Sequence, residues 1–250
     1  MIEQIEDPNL FDDWKKKDIY TVRILALLKS YGTAYRFATF YRQIIDGKIT
    51  AILSKLDNDV TLALDDGFDN EELVRFFCIT GHGSILCDPA FQIGAKFEEG
   101  VIMSSEVKRD LNVMGAGMIG ISVDEYPKLM DLYNFIDYEN QDFKSWYVDI
   151  SHRVRHNTAK AYTLNVAGNI VTSSILSSIY DDDAVLTAVR TGEVYRRMGY
   201  GGYLVSYICN DIKGRVYIMR DAELNEHFYT DLGFKNIGIW RMYRLSLIHI

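Results

Sequence analysis

The chain has 250 residues, of which 48% are hydrophobic and 25% charged, which is the composition of a globular protein. Its formal net charge is −8, and a negative surface repels phosphate backbones, so nucleic acid is excluded as an expected partner. No apolar run reaches the ~18 residues of a membrane span, and the acidic amino terminus is unlike a secretory signal. Neither a membrane nor an export route is therefore expected.

Cysteine and histidine usage gives no indication of a metal site. The 3 cysteines lack metal-ligand spacing, so reduced thiols in a cytoplasmic protein are expected. His152 and His156 stand four apart on a predicted helix, but no glutamate occupies the place that an H-E-x-x-H motif requires. The sequence therefore predicts a helix surface there and no metal.

The amino-terminal half predicts a helix, a hairpin and then alternating strands and helices. The helix covers residues 18–31, and the hairpin covers residues 37–56 with its turn at Asp46-Gly47. The later elements are a strand DVTLAL (59–64), a helix DNEELVRFF (69–77), a strand SILCD (84–88) and a closing run GVIMSS (100–105).

The carboxyl-terminal half predicts the same order after two amphipathic helices, 124–135 and 142–156, with Asp124 as the first N-cap. A hairpin turns at Gly168-Asn169, and a third strand covers residues 184–191. The remaining predicted elements are a helix from about 201 to 212, a strand at 215–220, a helix at 222–232 and one or two closing strands from 234.

This recurrence predicts a duplicated α/β architecture in which each copy has a mixed, mostly antiparallel sheet flanked by helices. The expected domains are residues 1–110 and 111–250. Between the third strand and the next helix, the second copy has R-R-M-G-Y-G-G and the first has D-D-G-F-D-N-E-E. Carboxylates cap a helix start but repel phosphate, so only the second copy is expected to bind an anion there.

The stretch VYRRMGYGGYLV (194–205) predicts that anion site. A helix N-terminus leaves N–H groups unpaired, and preceding glycines let the backbone turn several of them toward one anion. Arg196 and Arg197 add permanent charge that suits phosphate oxygens. A glycine cluster can also simply form a turn. The Walker loop and the G-x-G-x-x-G fingerprint both fail, because the Lys-Ser/Thr pair and the third glycine are missing.

The residues around this loop resemble the acyl-CoA loop of the GNAT superfamily of N-acyltransferases. The pattern is R/Q-x-x-G-x-G/A, here Arg196-x-x-Gly199-x-Gly201, and a second block N-E-H-F-Y-T-D-L-G-F (225–234) resembles the family helix that ends F-Y-x-x-x-G-F. The two blocks occur in the expected order over the last ~130 residues. The resemblance implies a GNAT domain at 111–250, a degenerate GNAT-like copy at 1–110, and acetyl-CoA as the acyl donor.

The resemblance also implies roles for individual residues. Loop amides from Arg197 to Gly202 would hold the pyrophosphate, the Val189 N–H would polarise the thioester carbonyl, and Tyr229 would be the general acid. The family often has Asn seven residues before that tyrosine, where this chain has Ala222, so Asn225 is a less secure contact. The expected donor-binding set is Val189, Thr191, Arg196, Arg197, Met198, Gly199, Tyr200, Gly201, Gly202, Asn225, Phe228 and Tyr229.

The acceptor and the general base are not specified by the sequence. A small-molecule or peptide amine is expected as acceptor, and a homodimer stays open. Two alternatives remain: a non-catalytic acyl-CoA-binding or regulatory protein, and a transferase for another acyl group. Candidate bases or cleft residues without assigned roles are Glu193, Asp181, Asp182, Asp183, Asp221, Glu223, Trp146, Tyr147, Tyr162 and Tyr180.

Overall fold

The computed structural model describes residues 1–137 and 142–244. The strands in these residues are β1 (Ile2–Gln4), β2 (Ala38–Ile45), β3 (Lys48–Leu56), β4 (Asp59–Leu64), β5 (Ser84–Cys87), β6 (Phe97–Ser105), β7 (Ile121–Asp124), β8 (Lys160–Val166), β9 (Asn169–Tyr180), β10 (Asp183–Thr191), β11 (Val216–Asp221) and β12 (Lys235–Arg244). The helices are α1 (Ile19–Tyr31), α2 (Asn70–Thr80), α3 (Leu111–Met114), α4 (Leu129–Ile136), α5 (Phe143–Arg155), α6 (Tyr200–Asp211) and α7 (Glu226–Asp231). The predicted mixed α/β class is confirmed.

The chain forms two compact units. The second unit contains Met103–Ile218 and Glu223–Asn236, and the first contains Met1–Ile102, Met219–Ala222 and the described part of Ile237–Ile250. Two short segments from late in the sequence therefore belong to the first unit. The tandem domain bounds at 1–110 and 111–250 stay a prediction.

In the first unit, the strand order is β1-β2-β3-β4-β5-β12. The β2–β3 hairpin turns at Asp46 and Gly47, which both have positive φ, as the sequence predicts. β4 and β5 run parallel, and α2 lies between them in the chain. The apolar side chains of α2, Leu73 and Phe77, are buried in one cluster with those of β3, β4 and β5, which forms the core of this unit.

In the second unit, β7, β8, β9 and β10 pair antiparallel in that order, and β11 pairs parallel with β10. The helix α6 packs against β8, β9 and β10. The helices α4 and α5 bury Leu132, Trp146 and Ile150 in a cluster with Ala161 and Ile175 of the sheet. Both units therefore contain four antiparallel strands, followed by a helix and a parallel strand in the same order.

Three predicted boundaries are shifted in the second unit. The helix expected over 222–232 begins only at Glu226, because Asn225 directly before it has a left-handed φ of 60° that interrupts a helix. The helix expected over 124–135 begins at Leu129, because Pro127 lacks a backbone donor and disfavours helix in the residue before it. Asp124 instead ends β7 and accepts a hydrogen bond of 2.8 Å from the Tyr126 amide. The hairpin turn consists of Ala167 and Gly168, which both have positive φ, rather than Gly168 and Asn169.

None of the helices within residues 1–137 and 142–244 has the length and apolarity required to cross a bilayer. In the same residues, no group of three or more His, Cys, Asp or Glu side chains forms a cluster that could hold a metal ion.

Candidate functional site

A cavity of about 730 Å³ lies at the start of α6, entirely within the second unit. Its volume is in the range of small-molecule sites. All residues of the expected donor-binding set except Met198 line it. The lining residues are Met114, Val189, Arg190, Thr191, Tyr195, Arg196, Arg197, Gly199, Tyr200, Gly201, Gly202, Asn225, Phe228, Tyr229, Asp231 and Leu232.

One wall of the cavity is the end of β10, where the strand carries a bulge. The register passes from Thr187 opposite Ile175 to Arg190 opposite Ser173, so two residues of β10 lie opposite one residue of β9. Ala188, in the bulge, has a φ of 53°, which is uncommon for a residue with a side chain. The bulge removes Val189 from regular pairing with β9.

The pairing of β10 with its other neighbour, β11, ends after its first residues. β10 and β11 pair at Ala184 with Val216 and at Val185 with Tyr217, and no later pair is found among the described residues. The amino-terminal part of β10 is therefore held on both sides. Its carboxyl-terminal part, including Val189 and Thr191, has backbone available to a ligand on one edge.

The glycine-containing loop ends in a left-handed residue directly before α6. Gly199 is the N-cap with a φ of 84°, and Arg197 has a φ of 64°. The Tyr203 amide makes the first helical hydrogen bond, 2.9 Å to the Gly199 carbonyl. The amides of Tyr200, Gly201 and Gly202 precede that bond, so their N–H groups have no intrahelical acceptor. Together with the helix dipole, they make this end of the cavity electropositive.

Gly201 is packed closely against the strand and α7. A Cβ at this position would lie 2.9 Å from Thr191 Oγ1 and 3.6 Å from the Phe228 ring. Thr191 Oγ1 is itself 3.0 Å from Thr172 Oγ1, and the Thr172 hydroxyl donates to the Arg190 carbonyl at 2.7 Å. Only glycine fits here without displacing one of these groups.

The two loop arginines are exposed, which suits contact with a solvated phosphate. Arg196 Nε donates to the Thr191 carbonyl at 3.4 Å, and its guanidinium lies 3.6 Å from a Glu193 carboxylate oxygen. Both side chains of that ion pair are largely in solvent, so the pair is easily exchanged for a ligand. Met198 is 55% exposed and points outside the cavity lining, although its neighbours in the loop line it.

Tyr229 is on α7, at the opposite wall. Its ring packs edge-on against Phe228 and Phe234, with centroids 4.9 and 5.6 Å away. Burial raises the pKa of Tyr229 to about 12, so the phenol is fully protonated at neutral pH. Asn225 is the N-cap of α7 with a φ of 60°, and its side chain does not cap the helix. The side-chain amide of Asn225 thus remains available to a ligand.

Five lining residues were not in the expected set: Met114, Arg190, Tyr195, Asp231 and Leu232. Asp231 and Leu232 lie inside the second motif block, and Arg190 and Tyr195 are direct neighbours of expected residues, so proximity in sequence is a usable signal for these four. Met114 lies about seventy-five residues before the strand wall and nothing in its sequence surroundings indicates the site. It arrives there because α3 packs against α6.

The unassigned carboxylates and aromatics do not line the cavity. Asp183 Oδ1 accepts from the Arg215 amide at 2.7 Å, and Glu193 pairs with Arg196. Trp146 and Tyr162 are core side chains, 6% and 0% exposed. Among the described lining residues, Asp231 is the one carboxylate, at the end of α7.

The corresponding helix start in the first unit is filled by the chain's own side chains. Asp69 caps α2 by accepting from the Glu72 amide at 3.0 Å. Gln43, which is fully buried, donates 2.8 Å to Glu72 Oε2 and accepts 3.0 Å from the Asp69 amide. Two carboxylates and a satisfied amide at this position disfavour a phosphate.

Comparison with solved structures identifies the fold. A GCN5-related N-acetyltransferase from Kribbella flavida has a TM-score of 0.59 and 13% identity, over 92% of this chain and 96% of that one. A tandem GNAT protein from the clavulanic acid biosynthesis pathway has a TM-score of 0.57 and 13% identity, over 98% of each chain. A GCN5-related N-acetyltransferase-like protein from Streptococcus suis has a TM-score of 0.54 and 15% identity, over 95% and 96%.

These likenesses show that the chain has the GNAT fold, as the sequence predicts. No protein-family model and no curated protein sequence matches the chain. With identities of 10–15%, the solved structures identify the fold alone.

Proposed function

We propose that the chain is an acetyl-CoA-dependent N-acetyltransferase that transfers the acetyl group directly to a primary amine. The observation that carries this proposal is the single cavity in which the bulged strand, the glycine loop and Tyr229 meet. The GNAT fold is consistent with it. Eleven of the sixteen lining residues belong to the expected donor-binding set, and the fold brings the two motifs that contain most of them to one cavity.

The donor would bind along β10 and the loop. The amides of Tyr200, Gly201 and Gly202 and the charges of Arg196 and Arg197 suit the pyrophosphate, and the close packing at Gly201 leaves room only for backbone. The free edge of β10 near Val189 and Thr191 suits an extended arm with amide groups, because strand edges offer unpaired N–H and C=O groups. Docking in this way makes the reaction effectively intramolecular.

The chemistry needs one bond to form and one to break. The neutral amine attacks the thioester carbonyl carbon, the Val189 N–H stabilises the oxyanion, and the C–S bond breaks as the amide forms. The leaving thiolate takes a proton from the Tyr229 phenol, which is protonated at neutral pH. The ammonium product of attack gives its proton to water, and the phenolate is then reprotonated from solvent, so charge and protons balance.

The same proposal includes the domain architecture, the class of acceptor and the cellular compartment. We assign residues 111–250 to the acetyltransferase domain and residues 1–110 to a GNAT-like copy without an anion site. The acceptor is a small-molecule or peptide amine, and the compartment is the cytoplasm. The self-filled helix start at Asp69 and Glu72 supports the assignment of an inactive first copy.

The direct test is calorimetric titration with CoA and acetyl-CoA, followed by measurement of thiol release with a panel of amines. Binding of both ligands with amine-dependent thiol release is expected. The proposal would be refuted if the wild-type protein gave no heat of binding with CoA or with acetyl-CoA, and if the folded Gly201→Val variant also gave none. Binding without thiol release from acetyl-CoA, propionyl-CoA or longer thioesters would favour the acyl-CoA-binding alternative.

A further inference from the structure

The segment directly after β6 holds the carboxyl-terminal ends of both helices that form the cavity. Lys108 Nζ donates to the carbonyls of Cys209 and Ile212, at the end of α6. Val107 lies beside Gly233, where a Cβ would come within 2.9 Å of its side chain. Cations at a helix carboxyl terminus bond its unpaired carbonyls and complement its dipole.

Arg109 bonds α6 and α7 at the same time. Its own backbone is fixed to α6 by two reciprocal bonds: the Arg109 amide donates 3.0 Å to Asn210 Oδ1, and Asn210 Nδ2 donates 2.8 Å to the Arg109 carbonyl. Its guanidinium donates to α7, with Nε 3.2 Å from the Leu232 carbonyl and a second nitrogen on the Asp231 carbonyl. Four hydrogen bonds through one residue therefore connect the two helices.

The helix α7 needs such support. It has six residues, and isolated helices of that length are unstable in water. Its N-cap Asn225 provides no side-chain bond to it. Asp231 and Leu232, whose carbonyls accept hydrogen bonds from Arg109, line the cavity together with Tyr229, which precedes them by two and three residues.

We propose that Arg109 is a positioning residue that sets the distance between the phosphate-binding start of α6 and Tyr229 on α7. This inference rests on the proposed acetyl transfer, because it acts through the acid that the transfer uses. Arg109 does not line the cavity. It fixes α7 against α6, so that the phenol meets the sulfur of a donor whose pyrophosphate is held by the α6 amides.

The first experiment compares Arg109→Gln with Lys108→Gln by amide hydrogen exchange. Both substitutions remove a cation bonded to helix carbonyls, but the Lys108 ammonium bonds carbonyls at the end of α6, whereas the Arg109 guanidinium bonds carbonyls at the end of α7. Exchange of the amides of Tyr229, Leu232, Gly233 and Phe234 is expected to rise about tenfold or more in Arg109→Gln and to stay unchanged in Lys108→Gln. Equal exchange in α7 in the two variants would overturn the proposal, whether or not the protein has transferase activity.

The second experiment is a double-mutant cycle with Tyr229→Phe. In the wild-type background, Arg109→Gln is expected to lower kcat about 10- to 100-fold, while the Kd for CoA changes less than about threefold. In the Tyr229→Phe background, the same substitution is expected to change kcat less than about threefold, because the group it positions is gone. Arg109→Lys, which retains a cation, is expected to recover part of kcat.

A loss of kcat of the same size in both backgrounds would show that Arg109 supports the fold generally, and would overturn the proposal. If Tyr229→Phe itself leaves kcat unchanged, the acid assigned under the proposed function is wrong. That failure is distinguishable, because thiol release then continues while the exchange comparison still reports the link between the helices.

Discussion

Gly201 and Thr191 approach so closely that a methyl group on the glycine would lie 2.9 Å from the threonine Oγ1. Thr191 ends the strand wall of the cavity, and Gly201 is in the first turn of α6. This contact sets the loop amides at a fixed distance from the free edge of β10. The glycine is thus required for packing as well as for access to a ligand.

Gly201→Ala is expected to lower the free energy of unfolding by about 1–3 kcal/mol, because Thr191 is β-branched, bonded to Thr172 and unable to rotate away. The Kd for CoA is expected to rise in parallel. Chemical denaturation and calorimetry measure the two effects. Thr191→Ala removes the Oγ1 atom that is too close, so Gly201→Ala should lower the free energy of unfolding by less in that background. An equal cost in both backgrounds would contradict the packing argument.

Tyr229→Phe is expected to lower kcat about 100-fold or more, because a positioned general acid contributes that much to transfer. The Kd for acetyl-CoA should stay within a factor of about two, since the ring and its packing are retained. Steady-state kinetics with the best amine and calorimetry test this. Tyr200→Phe is the matched control, because it removes another phenol from the same cavity. Equal losses in the two variants would contradict a specific role for Tyr229.

The raised pKa of Tyr229 predicts a loss of stability in alkali. The phenol has a pKa of about 12 in the folded protein and ~10 when unfolded, so its contribution is present below pH 10 and is lost as pH rises toward 12. The difference in unfolding free energy between wild type and Tyr229→Phe is expected to fall by about 1 kcal/mol between pH 10 and 11. Denaturation at pH 8 and 9, where that difference should be constant, is the internal control. A difference that stays constant to pH 11 would rule out the shift.

A polar cluster elsewhere in the second unit predicts a loss of stability in acid instead of in alkali. Lys160 Nζ lies 2.7 Å from Glu125 Oε2 and 2.9 Å from Asp211 Oδ2. The hydrogen bond from Lys160, followed by that from Tyr207, lowers the pKa of Glu125 below its ordinary value. A lowered carboxyl pKa stabilises the fold above the unfolded pKa, and that contribution is lost as pH falls through the folded pKa.

Lys160→Met is therefore expected to lower the unfolding free energy at pH 7 by about 1–3 kcal/mol, because it leaves two neighbouring carboxylates in a partly exposed site without their shared cation. The deficit relative to wild type should shrink as pH falls from about 5 to about 3. Urea denaturation across that range measures it. A deficit independent of pH would show that Lys160 stabilises by packing alone.

Local patterns identified most of the elements, because they depend on neighbours in the chain. Asp46-Gly47 marks a hairpin by its backbone preferences, and Asp69 caps α2 where an acidic residue precedes the apolar period. The helix expected at 124 failed for a local reason as well: Pro127 outweighs the N-cap signal of Asp124.

The sequence alone determined the chemistry at the start of α6. The start of α6 requires a left-handed backbone, a close approach and positive charge, and these are supplied by Gly199, Gly201 and the two arginines. Each of these properties depends on a few adjacent residues. The tertiary structure decided which distant groups complete the site. Contacts between residues far apart in the chain determine the position of Met114, the bulge at Ala188 and the bonds of Arg109 to α7. The strength of such contacts is set by packing and hydrogen-bond geometry, which no local sequence pattern encodes.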